Sequence, residues 1–325
     1  MNVLFVNKIF QNDISFNSIA KELFLYQYSN NHIYKQWCCN LYVDASQHLS
    51  LTQIPFLPIS FFKTNKIISG NQDYEILFES SGTTQSTKSM HYIKDVNLYM
   101  QSFTNCFEIF YGDINDWCII GLLPSYLQQK NSSLIKMVDE LIKLSHHTES
   151  GFYLDEYEKL HHVLQQLENK KQKTLLVGVT YALLDFAEQF PLSLNNTIIM
   201  ETGGMKGRRK EITRSEVHTI LKKQFQIQQV HSEYGMTELL SQAYSKADGK
   251  FYCPPWMKVF VRDEDDPLLV KPTGKGALNI IDLANVYSCA FVATEDVGEI
   301  FDDGSFTVAG RLDGSDIRGC SLMVV

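Results

Sequence analysis

No stretch of this chain approaches the run of about 18 apolar residues that a helix needs to cross a bilayer, so no integral membrane segment is expected. Its start, "MNVLFVNKIFQNDISF", has apolar residues but lacks the basic opening, unbroken apolar centre and small-residue cleavage site of a secretory signal. Clustered basic charge is equally scarce. Lys and Arg number 29 against 37 Asp and Glu, for a formal net charge of -8, which excludes a broad surface for neutralising nucleic-acid phosphates. One basic cluster stands apart, Lys206, Arg208, Arg209 and Lys210; it reads equally as a solvated loop end or as a holder of an anionic ligand. The 7 cysteines contain no CxxC pair and no regular framework, which excludes a disulfide scaffold or a zinc array and points to a reducing, cytoplasmic setting. Internal repeats and low-complexity tracts are missing too, so neither a solenoid nor a long disordered linker is expected.

What is present is an ordinary globular composition over 325 residues, enough chain to bury a sizeable core as one large domain or two smaller ones. Residues 1–75 read as a helical and connector layer: apolar residues fall at helical spacing through "IAKELFLYQYSNNHIYKQWCCNLYV". Pro55 and Pro58 make "IPFLPISFFKT" an extended buried connector. Across residues 76–250 short β-branched runs, "WCIIGLLP", "TLLVGVT" and "NTIIMETGG", alternate with the amphipathic "NSSLIKMVDELIKLS" and "EYEKLHHVLQQLENKK". Buried parallel strands and covering helices have this texture, so an α/β sandwich is expected, with ligands at the carboxyl ends of the strands. Residues 251–312 turn to Gly- and Asp-punctuated strands, "MKVFVRD", "GALNIIDL" and "VGEIFDDGSFTVAGRLDG", which predict hairpins in a β-rich subdomain; residues 313–325 form a tail.

Four constellations carry possible chemistry. The run "SSGTTQSTKS" after "YEILF" supplies Ser80, Ser81, Gly82, Thr83, Thr84 and Lys88 at a strand end. It reads either as a phosphate-holding loop or as a solvated Ser/Thr turn, and it is not a GxxxxGK[ST] loop, since Gln85 stands where a second glycine would give freedom. In "HSEYGMTELL", Tyr234 offers a flat face to a purine, Thr237 a hydroxyl and Glu238 a hard oxygen ligand for magnesium. Alone, a core tyrosine beside an exposed carboxylate explains it as well. The adjacent Gly203 and Gly204 of "ETGGMKGRRKEI" permit close approach of a planar ring. In "TEDVGEI" and "GRLDGSDIRGC", Asp296 suits the two hydroxyls of a ribose and Arg311 a charged bond to ribose or phosphate. His91 and His231, which flank the loops, read as hydrogen-bonded structural histidines, and the pairs His146/His147 and His161/His162 as solvent-facing.

In this order and at these intervals, "SSGTTQSTKS", "ETGGMKG", "EYGMTE", "TEDVGEI" and "GRLDGSDIRGC" resemble the core motifs of the adenylate-forming superfamily. More narrowly, with "IPFLPISFFK" and the late "RGC", the chain is similar to the LuxE-type acyl-protein synthetases over most of its length. The resemblance implies the large N-terminal domain of that superfamily, αβ sandwich layers plus a small β subdomain, with the mobile C-terminal domain largely absent. It implies an acid–thiol ligase that converts a fatty or similarly apolar acid and ATP to an acyl-adenylate, then passes the acyl group to a thiol. The partner implied is an acyl-accepting reductase or carrier protein. By the same mapping Ser80, Ser81, Gly82, Thr83, Thr84 and Lys88 hold the triphosphate, Tyr234 stacks on the adenine, Gly203, Gly204 and Gly235 belong to the cofactor site, and Thr237 contacts the adenylate phosphate. Glu238 binds magnesium, Asp296 the ribose with help from Arg311, and Asp313 marks the hinge. Cys320 matches the cysteine thought to carry the acyl group; Arg318 nearby favours its thiolate, and the alternative is a small buried filler. Two features depart from the wider superfamily: Gln85, and only a dozen residues after Asp313, with no counterpart to the lysine of the mobile domain. A coenzyme A ligase and a non-catalytic nucleotide- or acyl-binding subunit of a reductase complex stand as the alternatives.

Overall fold

The computed structural model describes residues 6–11, 15–81, 87–124, 130–154, 156–203 and 212–312, and these divide into two compact units. One comprises residues 107–234 and 243–251, the other residues 6–106, 235–242 and 252–312.

The first of these units is built on a sheet in the order Gly151–Phe152, Cys118–Leu122, Thr174–Val179, Thr197–Thr202, His231–Tyr234 and Ala243–Ser245. All neighbours run parallel except the last pair. Cys118–Leu122 and Thr174–Val179 are buried at every residue, as strands covered on both faces must be, and this explains their unbroken apolar runs. Ser133–Ser145 buries Ile135, Met137, Val138 and Leu141, and Tyr157–Asn169 buries Leu160, Val163, Leu164 and Leu167, one stripe per helix at the spacing the sequence displays. Gly178 lets the chain turn from strand into the helix Thr180–Gln189, since a Cβ there would fall 2.8 Å from Leu183 Cγ. The helix Arg214–Phe225 opens on a capping box, Thr213 with Glu216.

The other unit carries the hairpins. Its sheet runs Leu57–Pro58, Phe291–Ile300, Gly274–Asp282, Met257–Arg262 and Val270–Lys271, with Phe306–Arg311 also paired to Phe291–Ile300. Every pairing is antiparallel except that of Leu57–Pro58. Two helices, Phe16–Asn30 and His32–Asn40, are separated at Asn31, whose side chain caps the second by accepting from the Tyr34 N–H at 3.0 Å. The buried Gln27 donates to the Asn285 and Val286 carbonyls at 2.9 Å each and accepts from the Ala290 N–H at 3.0 Å. Tyr34 stacks on Phe291 with ring centroids 5.9 Å apart. Ile76–Glu79 and Met90–Ile93 form a separate antiparallel pair.

The connector differs in part from expectation. Leu57–Pro58 is extended, but Phe61–Thr64 makes a helical turn, closed by the Asn65 N–H on the Phe61 carbonyl at 2.9 Å. The prolines constrain only themselves and their predecessors, so they do not reach that far along the chain. Among the described residues no helix is long and apolar enough to cross a membrane.

Candidate active site

In the hairpin-bearing unit the strand Ile76–Glu79 leads into the hydroxyl-rich run. Ser80 and Ser89 tie its neck: the Ser80 N–H donates to the Ser89 carbonyl at 3.0 Å, and the Ser89 N–H donates to Ser80 Oγ at 2.9 Å. Lys88 is half exposed, with its ammonium 3.6 Å from Glu79, and Ser81 is exposed. Gly82, Thr83, Thr84 and Gln85 lie outside the described residues, as do Gly204, Lys206, Arg208, Arg209, Lys210, Asp313, Arg318 and Cys320.

The segment from Gly235 to Ser241 follows the strand His231–Tyr234 but forms neither strand nor helix. Its backbone is satisfied from elsewhere. The Thr237 carbonyl lies 2.7 Å from His91 Nδ1, and the Glu238 carbonyl accepts from Asn285 Nδ2 at 2.8 Å. The Leu240 and Ser241 N–H groups donate to Asp282 Oδ2 at 2.8 and 3.0 Å, and the Ser241 hydroxyl donates to Asp282 Oδ1 at 2.6 Å. Ala284 N–H adds a fourth bond at 3.1 Å. Burial still holds the Asp282 carboxyl above its ordinary pKa, against the pull of these donors. Burial likewise lowers His91, against the Thr237 carbonyl, Glu238 and Asn285. Glu238 itself is 1% exposed. Among the described residues no group of three His, Cys, Asp or Glu gathers that could cage a metal.

Asp296 and Arg311 face each other across neighbouring strands. Arg311 Nε donates to Asp296 Oδ1 at 3.2 Å, and its Nη2 lies 3.1 Å from Glu295 Oε2. The register shifts between Val297 and Gly298, where any Cβ would collide with the Thr307 carbonyl, so the glycine of "DVGEI" sets this local bulge. A second guanidinium, Arg262, bonds the Leu278 carbonyl at 3.1 Å, Asn279 Oδ1 at 2.8 Å and the Thr294 carbonyl. Burial lowers its pKa, with Glu295, Asp296 and Glu264 opposing. Asp296 and Arg311 thus meet; Arg262 and Glu295, the latter inside "TEDVGEI", were given no role from the sequence.

The parallel-sheet unit places its polar groups at the carboxyl ends of the strands. Gly203, at φ +76°, ends Thr197–Thr202 and accepts the Thr180 hydroxyl on its carbonyl. Glu201 is fully buried beside Arg214, whose Nε donates at 3.1 Å, and His218, 3.7 Å away. Burial pushes its carboxyl up, but His218 and Arg214 outweigh that and leave it below the ordinary carboxylate value. The adjacent Glu233 has one hydroxyl donor, Thr202 at 2.7 Å. Burial, with Glu201 nearby, raises it to about 7. Arg214 and His218 stand four apart on one helix face, a spacing that pointed to this cluster and went unread. Tyr234 is 9% exposed, its ring tilted against Phe251 at 5.8 Å.

Of the remaining histidines, His231 Nδ1 lies 3.1 Å from the Tyr111 hydroxyl, and burial, with Lys246 nearby, lowers it to about 4. His91 and His231 are therefore hydrogen-bonded, as expected. His161 is not solvent-facing: its ring packs at 5.3 Å from Phe190, because it borders the apolar stripe of its helix. His162 is exposed.

No protein-family model matches the chain. A protein named "Long-chain-fatty-acid--luciferin-component ligase" from Aliivibrio fischeri is 25% identical over 335 residues, covering 94% of this chain and 86% of that one. The protein of the same name from Vibrio harveyi is 24% identical over 331 residues, covering 94% and 85%. Among solved structures, ATP-bound MatB from Rhodopseudomonas palustris superposes with a TM-score of 0.54 at 15% identity, over 72% of this chain and 47% of that one. A luciferase-like enzyme from the nonluminescent mealworm Zophobas morio gives 0.53 at 18% identity, over 75% and 59%. The chain therefore spans between about half and three fifths of those solved structures. Its fold is that of the large domain of adenylate-forming enzymes. Nearly its whole length is similar to the two proteins named long-chain-fatty-acid–luciferin-component ligase.

Proposed function

We propose that this protein is an ATP-dependent acid–thiol ligase that activates a fatty carboxylic acid as an acyl-adenylate, releases pyrophosphate, and transfers the acyl group to a thiol. The observation that carries this reading is the relationship along 94% of the chain to proteins named as long-chain fatty acid ligases. The side chains suit the chemistry. A carboxylate and a triphosphate repel, so the reaction depends on positioning and charge neutralisation. Lys88, Ser80 and Ser81, with Gly82, Thr83 and Thr84, are assigned to the phosphates. Tyr234 is assigned to the adenine, Gly203, Gly204 and Gly235 to the cofactor site around it, Asp296 and Arg311 to the ribose, and Thr237 to the α-phosphate. Magnesium, held through Glu238, would neutralise phosphate charge. Cys320 is the assigned acceptor thiol, from which a reductase or carrier protein would take the acyl group.

Acid-dependent ATP–pyrophosphate exchange across fatty and aromatic acids tests the first half-reaction, with exchange expected for fatty acids; none with any acid overturns the reading. Cys320→Ser should abolish covalent acyl labelling and leave exchange intact. Labelling that survives the substitution removes Cys320 from the reaction, and acyl-coenzyme A formed without protein labelling makes the enzyme a coenzyme A ligase.

A further inference from the structure

The loop that bears Thr237 and Glu238 has no ladder or helix of its own, yet its buried backbone groups need partners. Besides the Leu239 N–H on the Met236 carbonyl at 3.1 Å, partners come from far along the chain: His91, 146 residues before Thr237, Asn285, 47 after Glu238, and Asp282, about 41 after Ser241. All three are essentially excluded from solvent. None is free to swing. The His91 ring stands edge-on to Phe62 at 5.7 Å and 87°. Asn285 Nδ2 also donates to the Cys289 carbonyl at 2.9 Å, which fixes the amide orientation and leaves Oδ1 3.2 Å from His91 Nε2; a neutral ring has one N–H, and the shorter contact, 2.7 Å at Nδ1, gives it to the Thr237 carbonyl. Ser102 Oγ meets Ser241 Oγ at 3.0 Å and accepts from Trp256 Nε1 at 3.2 Å, closing the far side.

The placement of His91 matters most. The strand Met90–Ile93 buries alternate residues, His91 and Ile93, and begins two residues after Lys88. A single ring therefore ties the strand that leaves the hydroxyl-rich run to the carbonyl of Thr237. A network whose members are each held at several points stiffens what it contacts, and apolar side chains would cover this loop equally well without fixing its carbonyls. We propose that His91 and Asn285 are positioning residues: by holding the Thr237 and Glu238 carbonyls, they set where the Thr237 hydroxyl and the Glu238 carboxylate stand relative to Lys88. The assignment rests on the roles given above to those three residues. Neither His91 nor Asn285 touches a reacting atom.

The test is steady-state ATP–pyrophosphate exchange, with a fatty acid that supports it, on the full chain carrying His91→Leu, His91→Asn or Asn285→Leu. In the Leu variants kcat should fall by about 10²-fold, the scale that a misplacement of about 1 Å costs, while KM for ATP stays within about a factor of three. His91→Asn keeps a donor near the Nδ1 position and should recover most of the loss. Hydrogen exchange on the same samples should show faster exchange at the Leu240 and Ser241 amides in the Leu variants, with the parallel sheet still protected. Unchanged kcat in folded Leu variants, or a loss confined to KM, overturns the proposal, as does a His91→Asn variant no better than His91→Leu. Should the Leu variants fail to fold, His91→Asn against His91→Gln decides it, since only Asn places an amide nitrogen where Nδ1 stood; equal activity of the two overturns it. A wild-type chain that shows no exchange with any acid refutes the ligase reading instead, and the amide exchange rates then report the clamp alone.

Discussion

Asp282 and Glu201 are both fully buried carboxylates, one in each unit, and they are stabilised in opposite ways. Among the described residues Asp282 receives four hydrogen bonds between 2.6 and 3.1 Å, three from backbone N–H groups, and no cation stands among these partners. Its pKa nevertheless lies above the ordinary value. Glu201 has the Arg214 guanidinium and His218 beside it, and its pKa lies below. Glu233, with one hydroxyl, is raised to about 7. In a low-dielectric interior the His218 ring and the Arg214 guanidinium together offset the desolvation of Glu201 more completely than neutral donors offset that of Asp282. The consequence is a division of labour: neutral donors fix the shape of the Thr237–Glu238 loop, and the charge pair fixes a carboxylate at a strand end.

Removing the cation should have the largest effect. Arg214→Met leaves Glu201 buried without its guanidinium and should destabilise the protein by about 3–5 kcal/mol in urea unfolding. The pH dependence should also weaken. Glu201 is depressed in the native protein, so its contribution is present above the unfolded carboxylate pKa and is lost as pH falls through the folded value. In the variant, which keeps His218, the folded pKa rises toward the unfolded one, and less stability is lost as pH falls. An equally depressed Glu201 in Arg214→Met, read by carboxylate titration, would refute the comparison.

Asp282→Asn should rank next, at about 2–3 kcal/mol, because an amide nitrogen replaces an acceptor facing backbone N–H groups. Its signature is local: the Leu240 and Ser241 amides should lose protection before the parallel sheet does.

The smallest effect belongs to Glu233. Its folded pKa is raised, so its stabilising contribution is complete below about 4.5 and is lost as pH climbs through about 7. Glu233→Gln should flatten the fall in thermal stability between those values, with little change at low pH. A variant that keeps the wild-type pH slope would locate the titration elsewhere.

The parallel strands were legible because burial on both faces demands the apolar runs that "TLLVGV" and "CIIGL" spell out. Asp296 and Arg311 were legible as a pair because they lie 15 residues apart on one hairpin, where register follows from the turn. His91 was read as structural, and it is hydrogen-bonded; what escaped was its partner, because nothing local links a histidine to a carbonyl 146 residues later. Asp282 and Asn285 escaped for the same reason, since an Asp or Asn near a strand end is most often a turn residue.

By itself the sequence determined the order of elements, the two textures of sheet and the motif set that relates the chain to adenylate-forming enzymes. Those features rest on periodicity and short-range spacing, which are written along the chain. Only the tertiary structure decided which buried carboxylate met a cation and which met backbone amides, and therefore which pKa fell and which rose. That outcome depends on partners brought together across the fold, and burial multiplies the consequence of each meeting.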